Sequence, residues 1–206
     1  MTGMIDRPAL QEAIAALSSA MDGEAAALNA ADAKLGDGDL GVTMQRGMRL
    51  VSQTADELPD DLGRALMMCA QAFTRSSGSS FGTLLATGLM AMAKELKGRE
   101  SAGPAEISHL VGAARDSMAA RGKSAVGGKT VLDTLDAVAR ATEGLRDAGS
   151  IAEAAVAAAD KALDDYRDKP ATTGRARIFA ERSIGLDDPG MLAMTKVVHV
   201  LAGVAK

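Results

Sequence analysis

Aromatic side chains are almost missing from this sequence: it has no tryptophan, one tyrosine and three phenylalanines. Sheets draw on aromatic and β-branched residues, so this shortage argues against a strand-built core. Cysteine occurs once, as Cys69, which excludes an internal disulfide. It stands in the apolar run Ala65-Leu66-Met67-Met68-Cys69-Ala70 and reads as a small buried hydrophobe in a reducing compartment. No apolar run is long enough to cross a bilayer, so no membrane insertion is expected. The N-terminus lacks a charged head followed by an apolar stretch, and a cytoplasmic protein without a signal peptide is expected. Positive charge is also in short supply. The formal net charge is −4 and the pI near 5.2. A nucleic-acid partner, which selects for a basic face, is therefore disfavoured. Any bound polyphosphate needs a local cation, because the protein as a whole repels it.

What is present favours helix. Alanine and methionine abound, 47% of residues are hydrophobic and 24% are charged, in a chain of 206 residues. That length suits one domain spanning 1–206. Apolar residues recur at helical spacing throughout, and no stretch alternates as a strand would. The periodicity predicts helices over about 8–21, 24–34, 41–56, 62–73, 81–97, 104–121, 129–146, 151–166 and 189–205. Asp6 with Pro8, and Asp188 with Pro189, read as caps followed by a first-turn proline. Mostly short connections predict antiparallel neighbours in an all-α, up-and-down bundle of about eight helices. Two connections, 121–128 and 170–187, lack an apolar period. Loops as long as the second are usually functional.

Four segments carry candidate chemistry. In Asp32…Gly36-Asp37-Gly38-Asp39-Leu40-Gly41, three carboxylates fall within eight positions. Carboxylates so close repel one another unless a cation lies between them. Glycines permit the tight turn that aims them together. Such hard oxygen ligands suit Mg²⁺ or Ca²⁺, and the terminal glutamate of an EF-hand is missing, so magnesium bridging to phosphate is the better match. Ser76-Ser77-Gly78-Ser79-Ser80-Phe81 leads into a helix and could form an anion site. Gly127-Gly128-Lys129-Thr130 invites a P-loop reading, which fails: Gly122 is out of register and no strand precedes it. Lys129-Thr130 then reads as the first turn of a helix. The segment Thr172 to Gly185 holds Arg175, Arg177 and Arg182, whose guanidinium groups could answer a phosphate charge. Each segment also has a plain structural reading as a cap, a flexible turn or a solvated loop. His109 and His199 are isolated in helical patterns and read as structural.

Taken in order, these segments resemble the L subunit (DhaL) family of dihydroxyacetone kinases. The matching blocks are Gly36-Asp37-Gly38-Asp39-Leu40-Gly41, Ser77-Gly78 with Phe81-Gly82, Arg121-Gly122-Lys123, Lys129-Thr130 with Asp133, and Gly174-Arg175-Ala176 through Glu181-Arg182-Ser183-Ile184-Gly185 to Asp188-Pro189-Gly190. The resemblance implies a barrel of eight antiparallel helices with ATP or ADP bound at one end. Two magnesium ions would sit between Asp32, Asp37, Asp39 and the phosphates. Leu40, Gly41, Val42 and Thr43, with Ser76 and Ser77, would contact phosphates. Gly122 and Val131 would lie near the nucleoside. Arg175 would reach the phosphates, and Asp188, Pro189 and Gly190 would offer backbone groups. It further implies phosphoryl transfer to dihydroxyacetone or a related short-chain ketose held by a separate K subunit. In some members a phosphorylated M subunit of the phosphotransferase system recharges the ADP.

The sequence departs from the family pattern at three places. Leu40 replaces a histidine, Gly128 an acidic residue, and Ile178-Phe179-Ala180 a Tyr-Leu-Gly. None removes a predicted metal ligand, and the lost histidine bears on the phosphate contacts and on the choice of ketose. Two other readings compete. A nucleotide-sensing module could bind a partner protein without phosphoryl transfer, but the intact aspartate triad favours catalysis. The nucleotide domain of a fatty-acid kinase would be expected to head a longer chain.

Overall fold

Met21 and Leu28 are fully buried in the first helix, and Ile14 and Leu35 nearly so. These four recur every seven residues and draw one apolar stripe down a helix. The computed structural model describes residues 4–75 and 79–205. In it that helix, α1, runs unbroken over Arg7–Leu35. Two helices separated near Gly23 were expected. Glycine inside a helix costs about 1 kcal/mol relative to alanine, too little to break one whose buried stripe continues on both sides of it. Asp6 caps α1 through a bond from the Ala9 amide at 3.0 Å, with Pro8 in the first turn, as read from the sequence.

The remaining helices are α2 (Leu40–Ser52), α3 (Leu62–Thr74), α4 (Ser80–Glu95), α5 (Ile107–Gly122), α6 (Val131–Thr142), α7 (Ala148–Arg167) and α8 (Pro189–Val204). Short 3-10 segments cover Ala55–Glu57, Pro104–Glu106 and Arg175–Ser183. No strand occurs among the described residues, and Ile5 and Ala102 form an isolated bridge. None of the described helices is long and apolar enough to cross a membrane.

Each helix packs on the next in sequence, and α1 packs on α8, which closes the ring. The predicted all-α, up-and-down arrangement is therefore observed. One part of the core joins α1, α2, α3 and α8 through Met21, Leu28, Met44, Phe73 and Ala193. Cys69 lies in it, and burial pushes its thiol up to about 11, which leaves it unreactive.

Alternation of direction has a functional consequence. The stretches that follow α1, α5 and α7 meet one another at one end of the ring, and the start of α4 lies beside the start of α8 there. They hold three of the four segments that carried candidate chemistry in the sequence and, of the serine segment, the described residues from Ser79 on.

Candidate functional site

Asp32 faces inward from the last turn of α1 and is 8% exposed. Its Oδ2 accepts the amides of Gly38 at 2.9 Å, Asp39 at 3.0 Å and Leu40 at 3.3 Å. The buried carboxylate thus folds the Gly-Asp-Gly-Asp turn around itself. That turn returns Asp37 and Asp39 toward it, so one oxygen from each of the three lies within 4.8 Å of the others. Asp37 and Asp39 are exposed and Asp32 is buried, so the cluster opens to solvent on one side.

The charges behave as a cation site demands. Burial pushes the Asp39 carboxyl above its ordinary value, and the neighbouring charges of Asp37 and Asp32 push the same way. The Arg175 guanidinium bonds to Asp37 and holds its carboxyl below the ordinary value. A positive side chain thus already sits against the cluster. Three carboxylates converging on one point, with a guanidinium for company, fit a hard divalent cation.

Leu40, Gly41, Val42 and Thr43 form the first turn of α2. Sequence reasoning missed Asn29, whose Oδ1 accepts the amides of Gly41 at 2.8 Å and Val42 at 3.2 Å. Asn29 and Asp32 are three apart, hence on one face of α1. Together they take up the amides of Leu40 to Val42. The i, i+3 spacing was the available signal, but its partners were not visible in it.

Ser76 and Ser77 lie outside the described residues. Beyond them Ser79 caps α4, and Phe81 packs beside the start of α8: a Cβ on Gly190 would lie 3.1 Å from its ring. Asp188 caps α8 by accepting the Met191 amide at 2.8 Å, and Pro189 stands in its first turn, as predicted. Asp188 is 8% exposed, and burial pushes its carboxyl up to about 7.

Gly122 is exposed at the end of α5. Val131 is buried against Met118, Leu132, Leu135 and Met194. Thr130 caps α6 in a capping box with Asp133, which also accepts the Gly127 amide at 2.5 Å. Lys129 does not start that helix, contrary to the sequence reading. Its backbone is left-handed at φ 60°, its side chain is fully buried, and the helix begins only at Val131.

The 168–188 connection lies between the others. Ala171 and Ala176 pack on Leu35 beneath the aspartate turn, and Arg175 reaches Asp37. On its other side the Thr172 amide donates to Gly128 at 3.2 Å, and Ser124 bonds Thr173 at 3.0 Å. A Cβ on Gly128 would lie 2.1 Å from Thr173 Oγ1. A longer side chain at position 128 has no room while Thr173 holds this place. Arg182 lies over the Phe179 ring at 5.5 Å.

Ala180, in this same connection, holds φ 41°, ψ −115°, a conformation suited to glycine. A Cβ there is strained by about 1–2 kcal/mol. Ala180→Gly relieves that strain, partly offset by the freedom glycine adds to the unfolded chain. The expected net gain is about 0.5–1 kcal/mol, measured as a higher urea midpoint; a lower midpoint would contradict it.

The fold and the acidic site together define an all-helical domain whose one end gathers acidic ligands, an arginine and capped helix starts. The chain belongs to the DAK2 domain family, whose pattern it matches over residues 34–203. It is 29% identical over 184 residues to the ADP-binding subunit DhaL of the PEP-dependent dihydroxyacetone kinase of Escherichia coli, covering 87% of this chain and 88% of that one. It is 31% identical over 173 residues to the corresponding subunit of dihydroxyacetone kinase 1 of Listeria innocua, covering 82% of each. In structure it is similar to the dihydroxyacetone kinase of C. freundii in complex with AMP-PNP and Mg²⁺, at TM-score 0.74 and 22% identity. That match covers 94% of this chain and 33% of the larger kinase.

Proposed function

We propose that this chain is the ADP- or ATP-binding subunit of a kinase for dihydroxyacetone or a related short-chain ketose, acting as a single nucleotide-binding unit over residues 1–206. The observation that carries the reading is the convergence of Asp32, Asp37 and Asp39 beside Arg175. The relatives in Escherichia coli and Listeria innocua are themselves named ADP-binding subunits, and the match covers most of each. The L-erythrulose kinase of Pectobacterium atrosepticum is 29% identical, with 37% of it covered, which supports a related ketose as well.

Asp32, Asp37 and Asp39 would hold two magnesium ions. Bound there, magnesium would neutralise charge on the polyphosphate. Phosphoryl transfer asks mainly for such neutralisation and for in-line placement. Arg175 would add a bidentate guanidinium to the phosphates. The first turn of α2, Leu40 to Thr43, with Ser76 and Ser77, would border the phosphates. Gly122 and Val131 would border the nucleoside, and Asp188 to Gly190 would close the far side. The ketose would be held by a separate K subunit, and a phosphorylated M subunit is a candidate donor. The reading places this work in the cytoplasm, in keeping with a single buried thiol.

The test is reconstitution. Purified chain, MgATP, dihydroxyacetone and a cognate K subunit should yield dihydroxyacetone phosphate. The same mixture with a phosphorylated M subunit and ADP tests the alternative donor. No phosphorylated ketose under either condition, with any cognate K subunit, would refute the proposal.

A further inference from the structure

Lys129 is the most completely buried cation described in the chain, at 0% exposure. A lysine is rarely so placed unless its ammonium is fully partnered. Here it donates to three backbone carbonyls, those of Arg167 at 2.8 Å, Lys169 at 2.9 Å and Ser183 at 2.7 Å. Three acceptors use all three N–H groups of an ammonium. Burial works against that charge, while Asp188, Asp187 and Asp168 favour it.

The three acceptors are not scattered. Arg167 and Lys169 lie where the chain leaves α7, and Ser183 where it returns toward α8. Between them lies the segment that carries Arg175. Lys129 therefore closes this segment at its neck from outside it, as a cross-link would. Other bonds tighten the same neck. The Gly185 amide donates to the Arg167 carbonyl at 2.9 Å, and the Ala171 amide to Ser183 Oγ at 2.8 Å. The backbone at Lys129 is left-handed, at φ 60°. It is a strained geometry for a non-glycine residue, of the kind that persists only where its surroundings enforce it.

We propose that Lys129 is a positioning residue for the nucleotide site: by clamping residues 167, 169 and 183 it sets the reach of Arg175 to the aspartate turn. The inference rests on the nucleotide-binding reading above. It assigns Lys129 no contact with the nucleotide, only control of the arginine that makes one. A segment pinned at both ends presents its arginine ready-placed, whereas a loose one spends affinity on ordering.

A double-mutant cycle tests this by calorimetric titration of the full chain with Mg·ADP, at a temperature where melting curves show every variant folded. Lys129→Met keeps an unbranched side chain, one atom shorter, and deletes its donors. It is expected to weaken Mg·ADP binding by about tenfold, and Arg175→Ala by at least as much. The double variant should bind within about twofold of Arg175→Ala alone, because the clamp acts only through the arginine. Lys129→Arg, which keeps charge and donors, should recover part of the loss. If Lys129→Met does not fold, Ser183→Ala loosens the same neck, and its loss of affinity should likewise vanish in the Arg175→Ala background. Wild-type affinity in Lys129→Met, or losses that simply multiply in the double variant, would overturn the positioning role while leaving the nucleotide reading intact. Wild-type affinity in Arg175→Ala would overturn both the phosphate role of the arginine and the clamp built on it.

Discussion

Asp37→Asn is expected to abolish magnesium-dependent nucleotide binding while the protein stays folded. Asp37 is the cleanest of the three aspartates to test, because its side chain is 54% exposed and pairs with Arg175. An exposed pair contributes little to stability, about 0–1 kcal/mol, so the melting temperature should move by about 4 °C or less. The site loses far more. A neutral amide replaces one of three charged ligands, and altering even an outer partner of a metal ligand typically costs 10–100-fold in affinity. A loss above about 100-fold in Mg·ADP affinity is therefore expected from removing a ligand itself. Calorimetric titration decides it: a variant that binds Mg·ADP like the wild type would contradict the metal assignment.

Asp32 would be a poorer probe of the same idea. Its Oδ2 accepts three amides of the turn, so an asparagine placed there risks pointing a donor at donors. Loss of binding in Asp32→Asn would mix a missing ligand with a misfolded turn. Relief of repulsion can also be followed in Asp37→Asn, because removing the Asp37 charge should bring the Asp39 carboxyl back toward its ordinary value.

The contrast between these two aspartates bears on what a sequence can disclose. Their clustering was legible, since the residues lie within eight positions and glycine marks the turn. The caps Asp6 and Asp188 were legible for the same reason, each bonding an amide three residues on. Asn29 was not, because the amides it serves lie twelve and thirteen residues away across a turn. Lys129 was misread because its partners are backbone carbonyls 38 to 54 residues distant, which no residue type announces. Gly23 misled in the other direction. Its helix-breaking tendency is local and small, and the buried stripe on either side of it outweighs it. Local turns and caps were thus read well, and long-range closure was supplied by the alternation of helix direction, which brings the stretches after α1, α5 and α7 to one end.

That closure depends on how closely α1 and α2 approach, and Gly41→Ala is expected to damage it severely. A Cβ at position 41 would lie 1.9 Å from the carbonyl oxygen of Ala25 and 2.9 Å from its Cα. The obstacle is the backbone of α1, so no side-chain rotation can make room. α2 must move away from a 29-residue helix packed along its length, or α1 must bend. Overpacking typically costs 1–3 kcal/mol where side chains can yield, and here they cannot. A loss of about 3 kcal/mol or more is therefore expected, read from urea unfolding. Gly23→Ala is the matched control on the same helix, because an added Cβ there meets nothing within 4 Å. It should be neutral or stabilising by up to about 1 kcal/mol. Gly41→Ala should also weaken Mg·ADP binding in whatever fraction remains folded, because residue 41 lies two positions beyond Asp39 and moving α2 moves the turn. A Gly41→Ala protein as stable as the wild type would mean that the two helices do not cross at this glycine, and the ring would have to be assembled differently at its functional end.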